Sequence, residues 1–384
     1  MNLVNLSDAP GSRIWEIVES ILQTGRPIAT SFTGGGSRAV SWLLNHPGAS
    51  RSLVEAQIPY HTNAIDDYLG LPGPHRAVEE TARRLAQVAR RRAGRFANDE
   101  GPVGLGASAA LATDRPRRGQ DRAFIAACNG ALHEFVSLQF DKSVDRLAQE
   151  EILSLLLLST LASSCSCQVA GIELPDWAHA EWATVPVHEE IEGLLEGSQD
   201  VVEIGPAGTQ ASVPGPPGKR VLVPGSFNPI HEGHAGLADA AERCSGREAV
   251  FEMSVDNVDK PALPYREILR RVGQPRSRAL VLTREPTFLG KARLLPGCWF
   301  AIGYDTALRV IEPAYYDGTA TESVLAELRD LACRFYVAGR QWQGRFRGLD
   351  DVPIPHGFGD LFVAIPESAF RVDISSTTLR QERT

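Results

Sequence analysis

The chain has 384 residues, a formal net charge of −8, and 43% hydrophobic and 22% charged residues. That is the balance of a globular protein long enough to bury two cores. The negative charge argues against general nucleic-acid binding, because phosphates would be repelled; a small polyanion stays compatible, since local arginines and helix dipoles set the field in a pocket.

No basic start followed by an apolar stretch opens the chain, so no secretory signal is expected. Ile14–Leu22 is apolar at helical spacing, and 28–30 reads as a short strand running into the glycine loop Thr33-Gly34-Gly35-Gly36-Ser37. Residues 77–92 read as a helix ending in Arg90-Arg91-Arg92, where positive charge suits the dipole and a solvated helix end is expected. Strands are expected at 102–106 and 123–128. Asn129-Gly130 then turns the latter into a hairpin with Leu132–Phe140. Glu150 and Glu151 suit the first turn of a buried helix over 152–162, which is far short of the ~20 residues that cross a bilayer. The six cysteines are scattered, and Cys165-Ser166-Cys167 is too tight for zinc; they read as reduced thiols of a cytoplasmic protein, with no metal centre built from side chains.

Residues 171–218 change character. Glu189, Glu190, Glu192 and Glu196 cluster there, followed by Pro206, Pro214, Pro216 and Pro217 among glycines. That composition buries little, so a linker with one short helix around 187–196 is expected between domains at 1–170 and 219–384. From 219 onward strands at 220–223, 249–255, 279–283, 299–302, 335–338 and 361–365 alternate with helical stretches. Such alternation argues a doubly wound parallel sheet of the Rossmann-like α/β class, with ligands beyond the carboxyl ends of its strands.

The first of those strands leads into Gly225-Ser226-Phe227-Asn228-Pro229-Ile230-His231-Glu232-Gly233-His234, which opens a helix over 235–243. Unpaired N–H groups at a helix start attract anions, and histidines at i and i+3 share one face of that turn and can both donate to phosphate. Ordinary helix-cap histidines are the plainer reading. Near the other end stands Ile374-Ser375-Ser376-Thr377-Thr378-Leu379-Arg380, a second hydroxyl-rich helix start with an arginine about one turn in. The two segments suggest a nucleoside triphosphate held between two helix N-termini.

Together these segments resemble the HxGH-type and ISSTxxR motifs of the nucleotidylyltransferase superfamily. The form G-S-F-N-P-x-H-x-G-H looks most like nicotinate or nicotinamide mononucleotide adenylyltransferases. The resemblance covers about 219–384. It implies AMP transfer from ATP, with Mg²⁺, to a phosphorylated acceptor such as a pyridine mononucleotide, with pyrophosphate release in NAD biosynthesis. By that resemblance Gly225, Ser226, Phe227 and Asn228 cradle the nucleotide. His231 and His234 contact phosphate oxygens, and Ser375, Ser376, Thr377 and Arg380 hold the β- and γ-phosphates. Lys260, Asp305 of Gly303-Tyr304-Asp305, and Arg340 lie at strand ends where the acceptor would approach. No tryptophan closely follows Asp305; the next aromatics are Tyr315 and Tyr316. CTP in place of ATP, another acceptor, and a non-catalytic nucleotide-binding regulator stay open.

Ser31-Phe32-Thr33-Gly34-Gly35 resembles the Ser-Cys-Thr-Gly-Gly motif of the CinA C-terminal domain family, which includes nicotinamide mononucleotide deamidases. The likeness covers about 10–165. It implies a serine nucleophile at Ser31 with a tyrosine at Tyr60. The family's lysine is missing: Arg38 stands nearest, and arginine does not release its proton near neutral pH. Without a base the serine is a weak nucleophile, so an inactive or ligand-sensing α/β domain is expected, its glycine loop able to bind phosphate through backbone amides. Deamidation at Ser31 and a purely structural role for the glycines are the alternatives. Partners are expected to be ATP and a small phosphorylated acceptor, not nucleic acid or membrane, and a homo-oligomer stays open.

Overall fold

A computed structural model describes residues 11–97, 101–115, 117–169, 171–206, 217–256, 262–316, 318–342 and 344–371. The chain divides into two compact units, Met1–Val187 and His188–Thr384.

The first unit is built on strands β1 (Ile28–Thr33), β2 (Leu53–Gln57), β3 (Val103–Ala110), β4 (Asp121–Cys128), β5 (Leu132–Phe140) and β6 (Ala178–Pro186), in the order β2-β1-β3-β4-β5-β6. β1 runs parallel to β2 and β3, and the remaining pairs are antiparallel. Helices α1 (Arg13–Gln23), α2 (Ser37–Asn45), α3 (Thr62–Leu69), α4 (Glu79–Ala97) and α5 (Arg146–Ser164) complete it. The apolar faces of α1, α2 and α5 meet Ile28, Phe32, Leu105 and Val136 in one core. Asn129-Gly130 does turn the β4–β5 hairpin: Gly130 sits at φ +91°, and the Asn129 carboxamide accepts from the N–H groups of Ala131 and Leu132. Helix α4 crosses β1, β3 and β4 through buried Ala82, Ala86, Ala89 and Ala93, an alanine stripe at helical spacing. Opposite it β3 offers Gly104 and Gly106. A Cβ on Gly104 would lie 2.0 Å from the Ala86 carbonyl oxygen, so this approach requires glycine.

Three sequence-based expectations need correction. Arg92 is not a solvated end: α4 continues to Ala97, and the Arg92 guanidinium grips both oxygens of Glu55 on β2 at 2.5 Å. Helix α5 begins a turn earlier than the glutamate pair suggests, capped by Asp145, whose carboxylate accepts from the N–H groups of Leu147 and Ala148. Most of the described part of 171–218 is not linker. Residues 178–186 form β6, whose Ala183 and Val185 pack against the second face of the sheet. Further on, α6 (Glu189–Glu196) buries Ile191, Leu194 and Leu195 beneath its acidic turn, and β7 (Val201–Ile204) joins the second sheet. The helix α6 is the short one expected around 187–196, whereas β6 and β7 escape sequence reading because a half-exposed edge strand carries little hydrophobic signal.

The second unit carries β7, β8 (Arg220–Pro224), β9 (Glu248–Ser254), β10 (Leu280–Thr283), β11 (Trp299–Gly303), β12 (Arg334–Ala338), the hairpin β13 (Arg340–Trp342) and β14 (Arg345–Arg347), and β15 (Phe362–Ile365). Helices α7 (Glu232–Ser245), α8 (Tyr265–Val272), α9 (Phe288–Leu294), α10 (Tyr304–Val310) and α11 (Thr321–Asp330) connect them. The large sheet runs β15-β12-β11-β8-β9-β10-β7, parallel except for β7. The expected doubly wound α/β architecture is present. The chain builds outward from β8 to β10, then returns to lay β11 against the other side of β8. The order therefore reverses between β8 and β11, the place where such sheets open a crevice. Pairing shows the opening directly: β8 meets β9 as far as Pro224 but meets β11 only at Val221 and Leu222.

The Gly104→Ala change is expected to force α4 off β3. Overpacking of this kind costs about 1–3 kcal/mol, so the melting transition of the first unit should fall by several degrees in calorimetry. An unchanged transition would show that the close approach is not needed.

Candidate active site

Beyond β8 the chain makes a tight excursion before α7. Phe227 adopts φ +46°, unusual for a side chain with a Cβ, and is 2% exposed. Its ring packs 5.1 Å from Phe251 and edge-on to His234 at 5.0 Å, which holds the backbone in that conformation. Gln274, just past α8, fastens both sides of the loop: its Nε2 donates to the Phe227 carbonyl at 2.7 Å, and its Oε1 accepts from the Ile230 N–H at 2.8 Å. Arg271 donates to the Ser226 carbonyl at 2.7 Å and Arg270 to the Asn228 side-chain oxygen at 2.6 Å. Glu267 holds both arginines, and those bonds, Arg270's first, bring its carboxyl down to about 2 against the opposing effect of burial.

His231 is the N-cap residue of α7 and His234 the third residue of its first turn. Their rings lie 3.8 Å apart, centroid to centroid, at 31°. The His231 backbone N–H donates to His234 Nδ1 at 3.2 Å, so Nδ1 is an acceptor and the proton of the neutral ring sits on Nε2. Burial, and secondarily the neighbouring His231, pull His234 down to about 4; burial also lowers His231. The resting site thus holds two closely apposed, neutral imidazoles at the positive end of a helix.

On the opposite face of the sheet a cavity of about 280 Å³ opens from Gly225 and Ser226. Its walls are Phe288 of α9, Thr306 and Arg309 of α10, and Tyr315 and Tyr316; its floor includes Glu252 of β9 and Lys291 of α9. The two ends of one loop therefore serve both features, the imidazole pair and the cavity.

Of the other residues singled out in the sequence, Lys260, Ser375, Ser376, Thr377 and Arg380 lie outside the described residues. Asp305 and Arg340 come together as an ion pair at 2.9 Å, beside the crevice but not among the residues lining the cavity. An aromatic absent after Asp305 in sequence arrives through the fold. The hairpin at 340–347 returns Trp342 to within 6.3 Å of the Tyr304 ring. Nothing in the sequence marks Glu252, Lys291, Thr306 or Arg309, because none belongs to a local motif; Tyr315 and Tyr316, the next aromatics after Asp305, take their place as cavity walls.

In the first unit Ser31 is fully buried in β1, and Thr33 is 9% exposed. Tyr60 is 65% exposed, on the rim of a cavity of about 230 Å³ that Ser31 does not line. The tyrosine beside Ser31 is instead Tyr68 of α3, whose hydroxyl burial pushes up to about 12, with Ser31 acting in the opposite direction; among the described residues neither hydroxyl has a direct hydrogen-bond partner. The glycine loop is also already occupied. Gly34 and Gly36 take φ +85° and +96°, and the Glu150 carboxylate accepts from the Gly36 N–H at 2.9 Å, the Ser37 hydroxyl at 2.9 Å and the Arg38 N–H at 3.4 Å. A carboxylate of α5 fills the place expected for a phosphate.

The lowered His234 sets a pH signature. Its unfolded imidazole titrates near the ordinary 6.5 and its folded one near 4, so the unfolded chain binds more protons between those values. Stability of the second unit should fall as pH drops from about 6.5 toward about 4, with no contribution from this group above that window. Thermal melts of His234→Gln should lack that part of the slope; an identical slope would show the group to be unperturbed.

Comparison with known proteins agrees with this geometry where it reaches. Residues 222–382 match the model of the cytidylyltransferase-like family. No curated protein sequence matches the chain significantly. Among solved structures, the chain is similar to a competence-damaged protein (CinA) superfamily protein from Escherichia coli at 14% identity, covering 42% of this chain and 91% of that one with a TM-score of 0.33. A competence/damage-inducible protein from Agrobacterium tumefaciens is similar at 15% identity, covering 43% and 98% with a TM-score of 0.31. Over residues 222–382, with an imidazole pair after the first parallel strand of a doubly wound sheet, the chain carries a cytidylyltransferase-like nucleotidyltransferase domain.

Proposed function

We propose that this domain transfers AMP from ATP to a phosphorylated acceptor, most readily a pyridine mononucleotide, and releases pyrophosphate. The observation that carries the reading is the imidazole pair at the start of α7, set where the sheet order reverses, at one end of a loop whose other end, Gly225 and Ser226, lines a cavity of about 280 Å³. In this reaction a phosphate oxygen of the acceptor forms a bond to the α-phosphorus of ATP as the bond to the bridging oxygen of pyrophosphate breaks. Little covalent chemistry is asked of the protein; it aligns two anions and stabilises charge on the phosphoryl oxygens.

His234 Nε2–H and the N–H groups of the first turn of α7 are the donors for that charge. A triphosphate beside the pair favours the protonated ring, so binding raises the pKa that burial has lowered, and the donor strengthens when the anion is present. The clamp on Ser226, Phe227 and Ile230 keeps the loop from relaxing as charge develops. Gly225 and Ser226 bring the acceptor cavity against the same loop, with Tyr315, Tyr316 and Phe288 as aromatic walls for a planar ring. By the resemblance above, Ser375, Ser376, Thr377 and Arg380 would hold the β- and γ-phosphates; the family match extends through 382. Among the described residues no group of three His, Cys, Asp or Glu could hold a metal, so Mg²⁺ would arrive with ATP, held by phosphate oxygens and water.

Two observations disfavour amide hydrolysis at Ser31: the hydroxyl is buried, and Arg38 stands where the resembled family carries its lysine. Among the described residues no helix is long and apolar enough to cross a membrane.

Purified protein with ATP, Mg²⁺ and nicotinate or nicotinamide mononucleotide should release pyrophosphate. The His234→Ala variant should lose roughly 100-fold or more in kcat while ATP binding changes little, because its donor acts chiefly as charge develops. Absence of pyrophosphate with both acceptors and with CTP would remove the assignment, and a variant that loses ATP binding and turnover equally would make His234 a binding residue only.

A further inference from the structure

The cavity contains an ion pair that adenylyl transfer does not use. Glu252 lies on β9 with no exposed surface, and its two oxygens are both engaged, one by the Thr283 hydroxyl at 2.8 Å and one by Lys291 Nζ at 2.6 Å. Strand alternation puts Glu252 on the face of Val250, where α9 packs. Lys291 is only 6% exposed, yet it lines the cavity, 5.7 Å from the Phe288 ring centroid. Replacing a buried ion pair with apolar residues is often neutral or stabilising, so stability alone gives little reason for this one. An ammonium has three N–H donors in all, and Glu252 takes one.

The surrounding charge has a direction. Arg271 is paired with Glu267, and Asp256 stands 3.7 Å from Arg284. Arg309, on the cavity wall over Tyr315 at 5.8 Å, has no carboxylate partner among the described residues. The lining thus joins aromatic walls to a pinned ammonium and a guanidinium with no carboxylate partner among the described residues.

We propose that Lys291, held in place by Glu252, determines acceptor specificity by binding a carboxylate carried on the acceptor's planar ring. The carboxylate lies on the ammonium's remaining N–H groups, the ring packs against Phe288 and the tyrosines, and Arg309 adds long-range attraction. The uncharged amide analogue gains much less from the same groups. This rests on the reading of the cavity as the acceptor site, so its test does not depend on turnover alone.

The probes are nicotinate mononucleotide and nicotinamide mononucleotide, titrated by calorimetry into the full-length chain and compared in pyrophosphate release. The variants are Lys291→Met and the double change Lys291→Met with Glu252→Gln, which leaves no unpaired buried charge should the single variant fail to fold. Wild type should bind the acid more tightly than the amide. The double variant should weaken acid binding by roughly tenfold to a hundredfold, the range for a hydrogen bond to a charged group, and leave the amide within about threefold. A purely structural pair would weaken both acceptors alike or neither, and either result overturns the proposal, as does a wild type that binds no acid. If neither acceptor is turned over but acid binding is lost selectively, adenylyl transfer is wrong and the role of Lys291 stands.

Discussion

The second unit depends on one constraint: the loop after β8 is held rigidly out of its relaxed conformation. A phenylalanine at positive φ is costly on its own, by roughly 1–3 kcal/mol. Here ring packing onto Phe251 and His234 offsets that cost, and Gln274 ties together backbone groups on both sides of the bend. The bend aims the start of α7 at the crevice and leaves Gly225 and Ser226 on the cavity wall. Were the loop free to relax, the imidazoles and the cavity would lose their common frame.

That frame gains its meaning from the sheet. β8 parts from β11 after Leu222 while it stays paired with β9 through Pro224, so the crevice opens on one side of the loop only. The helix dipole and the neutral imidazoles stand at one end of the loop, and at its other end Gly225, Ser226 and the guanidinium of Arg309 line a space large enough for a small anion. The formal charge of −8 is therefore no obstacle to a polyanionic substrate; the local field is built from a few placed groups.

The first unit shows the same physics turned inward. Its glycine loop has the backbone shape of an anion site, but Glu150 supplies the anion from within the chain. A carboxylate satisfied by three donors rigidifies the turn between β1 and α2, next to the buried serine of β1.

Much of this was legible in the sequence because it is local. The buried faces of α1 and α5, the strands alternating with helices after 219, the Asn129-Gly130 hairpin and the two histidines of α7 follow from periodicity, turn chemistry and spacing within about ten residues. What is not local was hidden. Nothing near residue 150 announces that its carboxylate meets Gly36. Tyr68 rather than Tyr60 comes beside Ser31, on a helix that packs against α4. β6 and β7 looked like linker, since an edge strand that is half exposed carries little hydrophobic signal. Lys291 and Glu252 are 39 positions apart and unremarkable singly; only the stacking of α9 on β9 makes them a pair. Residue order says which chemistry this chain can hold, because spacing within a turn or strand is a local property. The tertiary structure alone decided which of those groups face one another, because long-range pairing depends on where packing brings the elements.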